Sequence, residues 1–170
     1  MILGMSTSTF TLSHVVISLI GIFSGFVVLF GLLTSRRLDG WTALFLATTV
    51  LTSVTGFFFH SEKFGPPHIV GVISLVVLAV TIAALYVFHL RGSWRWIYVA
   101  GAVLSLYLNV FVGVVQAFQK VPFFNALAPT QNEPPFAIAQ GLVLLIFIAL
   151  GFVAVRSFHP ESRARTLSMA

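Results

Sequence analysis

Cysteine is missing from this chain of 170 residues, and only four of its residues are acidic. Without a thiol there is no disulfide, no thiolate metal ligand, no iron–sulfur cluster and no haem attached through a Cys-x-x-Cys-His motif. The short motifs of hydrolases and nucleotide-driven enzymes are missing as well: no Gly-x-Ser-x-Gly, no Ser, His and acid set within reach, and no phosphate-cradling Gly-x-x-x-x-Gly-Lys-Ser/Thr. Charge in general is scarce. Charged residues make up 8% of the chain and apolar ones 58%, against about 25% charged in a soluble domain. So few charges leave a soluble fold with no means of covering its surface.

What is present is a series of long apolar runs. A hydrocarbon core about 30 Å thick takes about 20 helical residues to cross, so runs of about 18 or more uncharged residues read as membrane spans. The chain is expected to be an all-α integral membrane protein, a bundle of five transmembrane helices forming a single transmembrane domain over residues 1–170. The spans fall at about 14–34, 41–59, 68–90, 96–118 and 136–155, and residues 156–170 form a basic tail. The net charge of +5 is confined to the short connections, which is not the spread-out basic face of a nucleic-acid binder. Arg36, Arg37, Arg91, Arg95, Arg156, Arg163 and Arg165 fall on one side, with only Lys63 and Lys120 on the other. By the positive-inside rule the N-terminus is outside and the tail cytoplasmic. Trp41, Trp94 and Trp96 all fall at the arginine-rich ends, as interfacial anchors do. The first residues lack the positive start and small-residue cleavage pattern of a signal peptide, so the first span is expected to serve as its own anchor.

With short loops, any chemistry must sit within the bundle or at its rim. His60 to His68 (HSEKFGPPH) is a polar bracket between two spans, and His14 is expected at the same surface. Neutral imidazoles bind transition metals, and a b-type haem needs two axial histidines on neighbouring helices. His14, His60 and His68 are therefore the candidate ligands for a haem or, alternatively, a metal ion. Against this, there is no His-Glu-x-x-His, no pair of histidines one turn apart, and Glu62 is the sole carboxylate nearby. His14, Ser18, Gly21 and Gly25 share one face of the first span, Gly21 and Gly25 forming a GxxxG pair suited to close backbone approach. Thr49, Ser53, Gly56 and His60 repeat those offsets in the second span and are expected opposite them. The fourth span carries a stripe of Tyr98, Ala102, Ser105, Asn109 and Gln116. An amide as deep as Asn109 needs a partner within the protein. With Gln140 of the fifth span, Asn109 and Gln116 would make a polar pocket for a quinone-like or other lipid-soluble ligand. The connection of residues 119–135 holds Pro122, Pro129, Pro134 and Pro135, which forbid a continuous helix and leave an apolar lid or a plain interfacial loop.

The stretch YLNVFVGVVQAFQKVPFFNALAPTQNEPPFAIAQ, Tyr107 to Gln140, resembles a family of small multi-pass inner-membrane proteins of bacteria that carries no known activity. The resemblance implies a bacterial inner membrane and assigns no functional residue. The expectation is a membrane component without enzymatic activity, either an accessory subunit or a small binding module, embedded in the lipid bilayer. It would work as a homo-oligomer or with a membrane-complex partner. The alternatives are a histidine-ligated redox protein and a binder of a lipid-soluble ligand.

Overall fold

The computed structural model describes residues 4, 6–59 and 65–160. Helix α1 (Thr7–Leu33) begins two turns earlier than the apolar pattern predicts. The Ser6 side chain caps it by accepting from the Thr9 N–H at 3.2 Å. The hydroxyls of Thr11 and Ser13 then donate back to the carbonyls of Thr7 and Thr9, so this polar leader is absorbed into the helix. Helix α2 (Asp39–Gly56) follows a short turn. Helix α3 (Pro66–Ile82) ends in a π turn at Ala83–Val87, and a turn over residues 88–93 leads to α4 (Trp94–Lys120). A short α5 (Pro122–Leu127) and the long α6 (Pro134–Ser157) complete the chain. Helices α3, α5 and α6 start on proline, whose fixed φ suits the first turn and whose missing N–H is not needed there.

Helices α1 to α4 form a closed ring: α1 packs on α2, α2 on α3, α3 on α4, and α4 returns to α1. Val28, Leu32, Phe45, Leu78, Val99 and Leu106 are buried within it. Two glycines set how closely its walls approach. A Cβ at Gly25 would stand 2.5 Å from a Leu106 methyl and 2.9 Å from the Phe45 ring. One at Gly101 would land on the Thr81 hydroxyl. Helix α6 lies outside the ring against α4 and α1, and only Phe147 and Ala154 of its residues are buried.

Among the described residues four helices, α1, α3 with its π turn, α4 and α6, are long and apolar enough to cross a membrane. The protein is thus a helical bundle of multi-pass membrane type. Helix α2, expected as a fifth span, is not among them. It has 18 residues, about 27 Å at 1.5 Å each, and Thr42, Thr48, Thr49, Thr52, Ser53 and Thr55 lower its apolarity.

The ends of the bundle differ. Arg36, Arg37, Leu90, Tyr98 and Phe158 line one cleft, and Arg95 donates to the Phe158 carbonyl. The α1–α2 turn, the α3–α4 turn and the end of α6 therefore meet at one end, which carries all the described arginines and all three tryptophans. His14, His68, Lys120 and α5 lie at the other.

Candidate functional site

At the histidine end, His14 of α1 has its Nδ1 2.8 Å from the Thr55 hydroxyl of α2. That hydroxyl gives its single proton to the Leu51 carbonyl at 2.6 Å. The imidazole must then be the donor through Nδ1–H, which leaves a lone pair on Nε2 in the neutral ring. Phe59 meets His14 edge-on at 5.0 Å and packs on Phe10 at 5.2 Å. His68, at the start of α3, does the opposite: its Nδ1 accepts the Gly65 N–H at 3.3 Å, placing the proton of the neutral ring on Nε2. Its ring lies 5.8 Å from that of Phe57.

His14 therefore fits an axial or metal ligand through Nε2, whereas His68 would first have to surrender its bond to Gly65. His60 lies outside the described residues. Among the described residues no three His, Cys, Asp or Glu side chains stand close enough together to hold a metal ion. Spacing brought His14 and His68 to one end, and each is held by partners of its own.

The polar stripes fare differently. Asn109 of α4 donates to the Thr49 hydroxyl of α2 at 3.0 Å, so the deep amide finds a partner inside the protein. Gly21 of α1 completes this contact. A Cβ there would lie 3.3 Å from the Thr48 hydroxyl and 3.5 Å from the Asn109 amide nitrogen. Ser53 donates to Ser74 of α3 at 3.0 Å. The face of α2 turned to α1 includes Thr52, which accepts from Ser18 at 3.4 Å, and Thr55, which takes His14. Thr49, expected opposite α1, does meet it, its hydroxyl lying 3.5 Å from where a Cβ on Gly21 would stand, and it accepts from α4 as well; Ser53 bonds instead to α3. Buried hydroxyls at Ser24 and Thr81 are satisfied by carbonyls of their own helices, both at 2.7 Å.

Gln140 donates to the Phe111 carbonyl at 3.1 Å, while its Oε1 is buried without a partner among the described residues, as is the Ser105 hydroxyl. Gln116 is exposed. Asn109, Gln116 and Gln140 are thus engaged separately rather than converging. Thr48, Thr52, Thr55, Ser74 and Thr81 make polar contacts that no motif in the sequence singles out. A signal for part of this existed: Thr42 and Thr49, Ser74 and Thr81, and Tyr98 and Ser105 each recur after seven residues, which marks one helix face.

The connection expected as a lid or an interfacial loop contains α5, which folds back on the end of α4. Phe118 packs on Phe124 and on Phe136, each at 5.3 Å, and the Asn125 amide donates to the Phe118 carbonyl at 3.1 Å. Phe123 stands 69% exposed on the outer face of this short helix. In the following loop, desolvation pushes the Glu133 carboxyl up, but the Thr130 hydroxyl and the backbone N–H groups of the loop together hold it below its ordinary value.

At the arginine end the chain beyond α6 crosses the bundle. Phe158 is 1% exposed and its ring packs 5.9 Å from that of Tyr98. Its carbonyl accepts from the Arg95 guanidinium, and the His159 N–H donates to the Ser35 hydroxyl at 2.8 Å. Beside it is a cleft of about 10 Å³ between Arg36, Arg37, Asp39, Thr42 and Tyr98, about the room of one water molecule. Arg37 and Asp39 form an exposed ion pair at 2.9 Å.

Comparison with protein-family models, with characterised proteins and with solved structures found no match to this chain.

Proposed function

We propose that this chain is a five-span protein of the bacterial inner membrane, N-terminus outside and C-terminus inside, that serves as a non-enzymatic membrane component. The role that suits it is an accessory subunit or a small binding module. The observation that carries this is the use made of the polar side chains within the ring. Asn109, Thr49, Ser53, Ser74, Ser24 and Thr81 are each committed to a helix–helix or intrahelical bond. Polar groups spent in this way hold helices together where lipid gives no hydrophobic drive between them. Helix α2 is the fifth span in this proposal because it packs along α1 and brings Thr55, near its end, to His14 at the histidine end of the bundle. The excess of arginine at one end supports the orientation.

A second proposal is favoured by one observation, the Nε2 lone pair of His14: a haem or metal ion held at the histidine end. An absorption spectrum and metal analysis of the detergent-purified protein separate the two. A colourless, metal-free protein is expected, and a Soret band lost in His14→Ala would replace the first proposal by the second. A C-terminal reporter active in the cytoplasm is expected, and one active only outside would refute the orientation.

A further inference from the structure

We propose that the arginine end of the bundle is a binding surface for the headgroups of anionic phospholipids. The proposal rests on the membrane-spanning reading of the helices and goes beyond it by naming a lipid class. Five arginines, Arg36, Arg37, Arg91, Arg95 and Arg156, gather at this end with Asp39 as the one carboxylate among the described residues there. Asp39 is taken by Arg37. Arg95 is turned inward onto the Phe158 carbonyl, and Arg156 lies 4.0 Å over the Phe152 ring. Arg36 and Arg91 are exposed, and neither forms an ion pair among the described residues.

The depth of these charges follows from their neighbours. Trp41 and Trp96 are 41% and 49% exposed, and indole rings exposed at the end of a span settle at the headgroup level. Arg36 stands five residues before Trp41 and Arg91 five before Trp96, so both guanidiniums sit within reach of lipid phosphate. Arg36 also borders the cleft it shares with Thr42 and Tyr98, whose apolar walls are Val28, Leu32 and Leu85. A planar guanidinium bonds phosphate in bidentate fashion, and the exposed indoles of Trp41 and Trp96 mark the apolar zone next to it where an acyl chain begins. A partner bearing both a phosphate and an apolar tail matches this surface better than a free anion does.

The test uses the full chain, purified in a zwitterionic detergent, and reads lipid retention by native mass spectrometry with phosphatidylglycerol or phosphatidylcholine added. Preferential retention of phosphatidylglycerol is expected. In the double variant Arg36→Gln, Arg91→Gln that preference should fall by about fivefold for each arginine removed, while Lys120→Gln at the opposite end leaves it unchanged. Equal retention of both lipids by the wild type, or an unchanged preference in the double variant, would overturn the proposal. Inorganic phosphate and glycerol 3-phosphate form a separate arm. Displacement of the lipid by either at low millimolar concentration would mean that the surface reads free phosphate, and would overturn the lipid assignment. Should the double variant misfold, the single Arg91→Gln on its exposed turn supplies the same comparison. Extraction of the protein from membranes by alkaline carbonate would refute the spanning reading itself, and a protein that resists extraction yet shows no lipid preference refutes only this inference.

Discussion

The ring of α1 to α4 and the outlying α6 are both apolar, yet they are held by different means. Inside the ring, walls meet through Gly21, Gly25 and Gly101 and through hydroxyls paired across or along helices. Helix α6 has almost none of this. It is fastened near one end by the Gln140 bond to Phe111 and at the other by Phe158, whose carbonyl accepts from Arg95 while the His159 N–H reaches Ser35. Between those fastenings its surface is that of a helix in lipid. In hydrocarbon, apolar character keeps a helix in the membrane but does not choose its neighbours, and it is small and polar residues that do so.

The contrast can be broken at its fastenings. Phe158→Ala removes a ring buried to 1% exposure and should cost about 3 kcal/mol, seen as early proteolysis at the end of α6 while the ring keeps its helicity. Loss of the whole fold in one step would instead make α6 integral to the ring. Gly101→Ala forces a Cβ onto the Thr81 hydroxyl, which is itself tied to Val77 at 2.7 Å. A cost of about 1–3 kcal/mol is expected, measured as lowered Tm in detergent, whereas Gly141→Ala on α6, where nothing lies within 4 Å, should leave Tm unchanged.

Asn109→Leu deletes the amide bond to Thr49 and should cost about 1 kcal/mol. A neutral result would show that the hydroxyl of Thr49 is as well served by its own helix. Gln140→Leu is expected to shift stability by less than about 0.5 kcal/mol, because the lost bond to Phe111 is offset by removing a buried, unpaired oxygen. The smallest effect is one of pH. Glu133, with its carboxyl lowered in the folded loop, steadies the start of α6 above its ordinary value and loses that contribution as pH falls through the lowered one. Protection of the Phe136 and Ala137 amides, taken as exchange relative to the intrinsic rate at each pH, should fall as pH is lowered through the carboxylate range, with no change in the ring.

The apolar runs and the one-sided arginines were legible because span length and charge asymmetry are local properties of the chain. The start of α1 was not, since Thr7 to Ser13 look like a polar leader until their hydroxyls turn back on the helix. Pairing within the ring was half legible. A stripe on α4 announced that Asn109 faces inward, but α2 carries hydroxyls on more than one side. Spacing alone had no means of assigning Thr55 to His14 or Thr49 to Asn109. Residues 156–170 looked like a free basic tail. That this segment is drawn into the bundle depends on Arg95, 63 residues from Phe158, and on Ser35, 124 residues from His159, and no local pattern announces such contacts. The three histidines converged in sequence logic because each ends a span, and the tautomers imposed by Thr55 and Gly65 then set His14 and His68 apart.

The position of α6 has a consequence for timing. The ring is complete in sequence at Lys120, so a nascent chain can close its four walls while the last helix is still being made. Helix α6 then arrives at a finished surface, and its fastening by Phe158 and His159 is made only after the helix itself. A protein built in this order has a last step that is separable from the rest, a seam where release or exchange of one helix leaves the remainder standing.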